Sequence, residues 1–183
     1  MELKRWFLIA AAIFGAGLVL GFLLPGNAAE EILDSFENLA GEAEGLSGFG
    51  MFLFLLFNNA VALSISFFFS PLFLIFPVVW LLMNGALITV VGRVFVEENS
   101  ATALAAGILP HGIIEIPAYL LAQAAALSFG YAILRGLFKS DRRGSIGPAL
   151  RTSLRWLGIA LLLLIPAAFI EAFVTPMLLG FFE

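Results

Sequence analysis

Long apolar stretches dominate this chain and restrict it to folds that suit a lipid bilayer. Short polar segments separate five such stretches, at about 6–24, 49–69, 72–92, 101–134 and 156–175. A helix that crosses a bilayer needs about 20 apolar residues, whereas barrel strands alternate over about ten. Of the 183 residues, 62% are hydrophobic and 12% are charged, which excludes an ordinary soluble domain. The sequence therefore predicts an all-α, polytopic transmembrane bundle of about five spans, forming one membrane domain over residues 1–183.

The fourth stretch is too long to be one upright helix. Residues 101–134 would form a helix of about 51 Å, against a hydrocarbon core near 30 Å. Pro110 and Pro117 each remove a backbone donor, and Gly112 lies between them. We therefore expect a proline-broken or re-entrant helix around residues 101–117. Irregular backbone at this depth is tolerated only where protein or a water-filled cavity covers it.

The distribution of basic residues predicts the topology in the cell membrane. Lys4 and Arg5 precede the first stretch, and six of the residues in 135–155 are Lys or Arg. Cytoplasmic loops carry such an excess, so the N-terminus and the 135–155 loop should lie inside and the 27–48 loop and the C-terminus outside. A cleaved signal peptide is the alternative for the first stretch, but an apolar run of about 18 residues exceeds the usual signal core.

The 27–48 loop is acidic. It contains six carboxylates and no Lys or Arg: Glu30, Glu31, Asp34, Glu37, Glu42 and Glu44. Apolar residues recur between them at helical spacing, which favours a solvated amphipathic helix lying on the bundle. A docking surface for a partner is the alternative interpretation.

Ionisable and amide side chains inside the apolar stretches predict a polar centre. From Ser100 to Leu134 the only ionisable side chains, tyrosine aside, are His111 and Glu115, and their spacing places both on one helical face. Charged groups at bilayer depth cost about 3 kcal/mol and usually face a protein interior or a wet cavity. The predicted centre consists of Asn58, Asn59, Asn84, His111 and Glu115, with Glu171 as an additional candidate.

The same residues have plainer explanations. Asn58, Asn59 and Asn84 could be interhelical hydrogen-bond partners worth about 0.6–2 kcal/mol each. Glu171 lies near a predicted interface, which favours a side chain that reaches headgroups or water. For Glu115 a functional or structurally critical role is favoured, because a carboxyl near the midplane is hard to explain as packing.

Catalytic and cofactor motifs are largely missing from the sequence. A single histidine excludes the two-histidine HExxH zinc site, and no GxSxG elbow or phosphate-binding glycine loop is present. His111 and Glu115 could supply two metal ligands and Glu171 a third, but no fourth is evident. We therefore predict no cofactor, no metal and no catalytic residue, and favour a non-enzyme. No basic patch interleaved with aromatics indicates nucleic-acid binding.

Three sequence pieces, in order, resemble the stage II sporulation protein M family of integral membrane proteins. They are Phe57-Asn58-Asn59, Asn84-Gly85 and the segment Ile108 to Glu115, whose Pro-His-Gly-x-x-Glu pattern is the most specific. The resemblance covers about residues 50–135 and implies a multi-pass fold with this polar centre. The family's namesake is an assembly factor for enzymes that degrade the cell wall, which implies a non-enzymatic scaffold with envelope or cell-wall protein partners.

Two other functions compete with the scaffold. A small transporter or channel would use the Asn, His and Glu residues to line a cavity, and a conduit would require a homo-oligomer. An intramembrane hydrolase or metalloenzyme would use His111 and Glu115. Membrane lipids are expected neighbours in all three cases.

Overall fold

The computed structural model describes residues 3–25, 29–31, 33–34, 41, 45–98 and 100–181. These residues are mostly helical and include no strand. The elements are α1 Leu3–Leu23, α2 Gly48–Phe69, α3 Ile75–Glu98, α4 Ala101–Phe138, a 3₁₀ segment Ser140–Ser145, α5 Ile146–Phe169, a π-helical segment Ile170–Val174 and α6 Thr175–Leu179. Most of the acidic 27–48 loop lies outside the described residues, and its predicted amphipathic helix stays a prediction.

Among the described residues, five helical runs are long and apolar enough to cross a membrane. They are Leu3–Leu23, Gly48–Phe69, Ile75–Glu97, Ala101–Phe138 and Arg143–Leu179. The predicted all-α class with five spans is therefore confirmed. The side of the membrane on which each loop lies, and the single-domain assignment, stay predictions.

The fourth span differs from its sequence prediction. α4 runs as one α-helix from Ala101 to Phe138, with Pro110 and Pro117 inside it, so the expected break or re-entrant segment around 101–117 is wrong for the backbone. Each proline removes a single N–H, and the remaining hydrogen bonds and the packing of neighbouring helices hold a transmembrane helix together across such a loss. At about 57 Å long, α4 must tilt or extend beyond the hydrocarbon core.

A tight reversal that begins at Ser70-Pro71 connects α2 to α3. The Leu74 N–H donates to the Ser70 carbonyl at 3.2 Å, and Phe73 and Leu74 have φ values of 52° and 63°. Bulky residues seldom adopt this left-handed conformation, so surrounding contacts must hold it. The reversal lies directly against Gly130 of α4, where a Cβ would meet the Ser70 carbonyl carbon at 2.9 Å.

Glycines bring α1 and α3 into backbone contact. A Cβ on Gly21 would lie 2.7 Å from the Ala86 Cα, and one on Gly85 would lie 2.8 Å from the Leu18 nitrogen. Gly17 has an equally close backbone neighbour in Leu82. The Gly17–Gly21 pair is thus a small-xxx-small contact within the chain, in which missing side chains allow helices to approach closely.

Small residues on α4 form the other main contact. Ala118, Ala122 and Ala126 are almost fully buried, at the four-residue spacing of one helical face. They belong to a core shared by α2, α4 and α5 that contains Leu63, Phe67, Ala118, Ala122, Ala125, Ala126, Phe129, Leu157, Ala160 and Leu164. This packing fixes the rotation of α4 about its own axis. It therefore also determines which neighbours the polar residues on the preceding turns of α4 face.

Candidate functional site: an intramembrane polar cavity

A cavity of about 410 Å³ lies among α1, α2, α3, α4 and the helical run Arg143–Leu179. The six polar residues singled out from the sequence all line it: Asn58, Asn59, Asn84, His111, Glu115 and Glu171. Most of the other lining side chains are aliphatic or aromatic. The structure therefore brings together residues that are up to 113 positions apart (171 − 58) in the sequence.

Glu115 contacts two other polar residues of the site. The Asn59 side-chain amide donates a hydrogen bond of 2.8 Å to Glu115 Oε1. This bond joins α2 to α4 across 56 residues of sequence. Hydrogen bonds of this kind hold membrane helices together and fix the orientation of the carboxylate. The second oxygen, Oε2, is left facing His111.

His111 lies one helical turn before Glu115. Its Nε2 is 3.9 Å from Glu115 Oε2, which is ion-pair rather than hydrogen-bond distance. Its Nδ1 lies 3.4 Å from the hydroxyl of Thr175, a residue only 8% exposed at the start of α6. Because α4 is continuous, His111 and Glu115 lie on one helical face, as their spacing predicts.

Glu171 reaches the site through an irregular turn. It lies in the π-helical segment, where the Thr175 N–H donates to the Ile170 carbonyl five residues back. A π turn holds one extra residue, which rotates the next part of the helix by about 100°, and such turns are frequent at functional sites. The sequence favoured a Glu171 side chain that reaches headgroups or water. In the structure its carboxylate instead lies with His111 and Glu115, with one ligand atom from each residue within 4.8 Å of the others.

The aromatic residues Tyr119 and Trp80 also line the cavity. The Tyr119 hydroxyl donates to the Trp80 carbonyl at 2.6 Å, and the Asn84 amide donates to the same oxygen at 3.0 Å. Tyr119 and Trp80 were not among the sequence candidates. A signal existed for Tyr119, because it continues the four-residue spacing of His111 and Glu115 along α4.

A separate pair of polar residues lies outside the cavity. The Ser66 hydroxyl donates to Gln123 Oε1 at 2.7 Å, and both side chains are fully buried between α2 and α4. Sequence reasoning missed this pair, because serine is common in transmembrane helices and Gln123 lies within an alanine-rich run. The pair forms a stabilising interhelical hydrogen bond and is not part of the site, since neither residue lines the cavity.

The charge balance of the cavity is uneven. Two carboxylates and one imidazole line it, and no Lys or Arg is among the described residues that do. Carboxylates in hydrocarbon usually pair with cations or neutralise. The arrangement can therefore bind a cation, exchange protons or hydrogen-bond a polar solute, but its lining offers no fixed positive charge for an anion.

Comparison with known proteins identifies the family. The sequence profile described as Stage II sporulation protein M matches residues 10–176, a range that includes all six polar residues of the site. The chain belongs to the stage II sporulation protein M family. The predicted family resemblance is thereby confirmed and extended from the region 50–135 to nearly the whole chain.

One curated relative matches about half of the chain. An uncharacterised protein of Methanocaldococcus jannaschii is 30% identical over 97 residues, which cover 52% of this chain and 54% of the relative. The match thus spans about half the length of that relative. No solved structure matches the chain.

Proposed function

We propose that this member of the stage II sporulation protein M family is a small transporter or channel for polar solutes, and that the intramembrane cavity is its binding site. The observation that carries the proposal is the convergence of polar side chains from α2, α3, α4 and the π-helical segment on one cavity in an otherwise apolar bundle. Ionisable groups at this depth are expensive, and in transport proteins they mark solute and ion pathways.

The composition of the cavity defines the solute class. Two carboxylates, and no Lys or Arg among the described lining residues, favour cations over anions. A volume of about 410 Å³ is large enough for an ion with water or for a small organic molecule. The π-helical turn beside Glu171 supports the proposal further, since irregular helices at membrane depth usually serve a site.

Flux through proteoliposomes tests the proposal. Purified protein is reconstituted, and proton entry is followed with entrapped pyranine and Mn²⁺ entry by the quenching of entrapped calcein. We expect flux of at least one probe above that of empty liposomes. It should be lost in Glu115→Gln and kept in Glu97→Gln, whose exposed carboxylate lies outside the cavity.

Two results would contradict transport. One is the absence of protein-dependent flux for both probes. The other is equal flux in the wild type and in Glu115→Gln, provided that the variant keeps the wild-type elution volume and helicity. The Glu97→Gln control separates loss of the site from a general effect of removing one negative charge.

A scaffold for envelope or cell-wall proteins is the second candidate, favoured by membership of the family. The predicted docking surface is the acidic 27–48 loop, and of its residues Glu30 and Asp34 are exposed in the described part. Gentle extraction followed by mass spectrometry should then recover a stoichiometric envelope protein. Recovery that is unaffected by Glu30→Gln and Asp34→Asn would remove the loop as the docking surface.

A further inference from the structure

The three ionisable side chains of the cavity form a compact ligand set. His111, Glu115 and Glu171 each contribute one nitrogen or oxygen, all within 4.8 Å of one another. We propose that they bind one divalent transition-metal ion. This inference rests on the proposed function and deepens it, because it names the class of cation that the cavity would hold.

Charge supplies the first argument. Glu115 and Glu171 lie close together in the apolar bundle, and in the described part of the chain no Lys or Arg lines their cavity. With both carboxylates ionised and the imidazole neutral, the three side chains carry a formal charge of about −2, which a divalent ion cancels. Metal coordination is one of the ways in which proteins stabilise buried carboxylates.

The hydrogen bonds around the cluster supply a second, independent argument. Asn59 occupies Oε1 of Glu115 and leaves Oε2 directed toward the His111 ring. Thr175 contacts Nδ1 of His111 and leaves Nε2 directed toward Glu115. Metal ligands are typically held in this way, with one atom toward the ion and the other toward a hydrogen-bonding partner that fixes the orientation.

The ligand types narrow the choice of ion. Imidazole suits Zn²⁺, Fe²⁺ and related ions, whereas carboxylates also suit Mn²⁺. Calcium prefers six to eight oxygens, and magnesium prefers an octahedron of oxygens with several waters. One nitrogen and two carboxylates therefore favour Zn²⁺, Mn²⁺ or Fe²⁺. Three protein ligands leave at least one position for water or a solute.

Binding one ion at these three side chains requires only a small adjustment of their positions. Atoms bound to one ion at about 2.0–2.2 Å can be no more than about 4.4 Å apart. The observed limit of 4.8 Å is slightly wider. Rotations of the Glu side chains, which have three rotatable bonds, can close this difference without moving the helices.

Calorimetry on the full-length protein tests the inference. Protein stripped with a chelator and exchanged into metal-free detergent buffer is titrated with ZnCl₂ and, separately, with MnCl₂. We expect one ion per chain, with affinity reduced at least about tenfold in Glu115→Gln and Glu171→Gln and unchanged in Glu97→Gln. Asn59→Leu, which removes only the outer hydrogen bond, should weaken binding by about 10–100-fold.

Spin-echo spectroscopy of the Mn²⁺-loaded protein identifies the nitrogen ligand without relying on affinity. Modulation from a directly bound imidazole nitrogen should be present in the wild type and absent in His111→Gln. Wild-type protein that binds neither ion, or binding that is equal in Glu115→Gln and Glu171→Gln, would overturn the inference. Nitrogen modulation that persists in His111→Gln would overturn it as well.

The failures of the two proposals are distinguishable. Proton flux that depends on Glu115, with no binding of either metal, contradicts the metal site alone. Metal binding with the expected mutational pattern, but no flux of either probe, contradicts transport alone and leaves an intramembrane metal-binding protein.

Discussion

Replacing two glycines of α1 by alanine provides a sharp test of how this bundle packs. Gly15 and Gly17 lie two positions apart on the same helix. A Cβ on Gly15 would meet nothing within 4 Å, whereas one on Gly17 would lie 3.0 Å from both the Leu82 Cα and carbonyl carbon. Because the obstacle at Gly17 is backbone, no side-chain rotation relieves it, and α1 and α3 must move apart.

The expected difference in the free energy of unfolding follows from this difference in available space. Both substitutions gain about 1 kcal/mol of helix propensity, so that contribution cancels between the two variants. Overpacking at a tight contact costs about 1–3 kcal/mol. The free energy of unfolding should therefore be lower in Gly17→Ala than in Gly15→Ala by about 1–3 kcal/mol.

Unfolding in mixed micelles, followed by circular dichroism as the fraction of sodium dodecyl sulfate rises, measures this difference. Gly15→Ala should unfold at or above the wild-type midpoint and Gly17→Ala below that of Gly15→Ala. Equal midpoints for the two variants would refute the close α1–α3 contact, because both would then have room for a methyl group.

Three further predictions concern the remaining contacts and the topology. Thr89→Val should lower the free energy of unfolding by about 0.6–1.7 kcal/mol in the same assay, since Thr89 donates to the Leu18 carbonyl of α1 at 3.0 Å; no change would refute that bond. Ser66→Ala should cost a similar amount, because it leaves a buried amide oxygen without its donor; a stability equal to wild type would argue against the pair. In intact cells, an impermeant maleimide should label Leu46→Cys without permeabilisation and Gly144→Cys only after it, and the reverse pattern would invert the predicted topology.

The fold was largely predictable because its main signals are local. Apolar length alone identified the five spans, and the Gly17–Gly21 spacing is typical of the close helix contact that the structure contains. Continuity of α4 was not predictable in this way. Whether a helix bends at Pro110 or Pro117 depends on neighbouring helices, which a single apolar stretch does not reveal.

The candidate site was predictable in its membership but not in its contacts. Polar residues in hydrocarbon stand out in a sequence, so Asn59, His111 and Glu115 could be identified from their cost. The partnership of Glu171 with them depends on a π-helical turn, for which the sequence carries no clear signal. Trp80 accepts the hydrogen bonds of Tyr119 and Asn84 through its backbone carbonyl, which no side-chain pattern could reveal.

Water access to the cavity is the central claim, because both proposals require solutes to reach it. The chain contains no cysteine, so single cysteines can be introduced without background labelling. Ala62 lines the cavity, whereas the adjacent Val61 is exposed on the surface of the same helix and is not among the residues that line the cavity. The decisive measurement is the rate at which a membrane-impermeant, positively charged methanethiosulfonate modifies Ala62→Cys and Val61→Cys in intact membranes. We expect modification of Ala62→Cys, slowed by bound Mn²⁺, and none of Val61→Cys. Two unreactive cysteines would show a dry cavity and contradict both proposals.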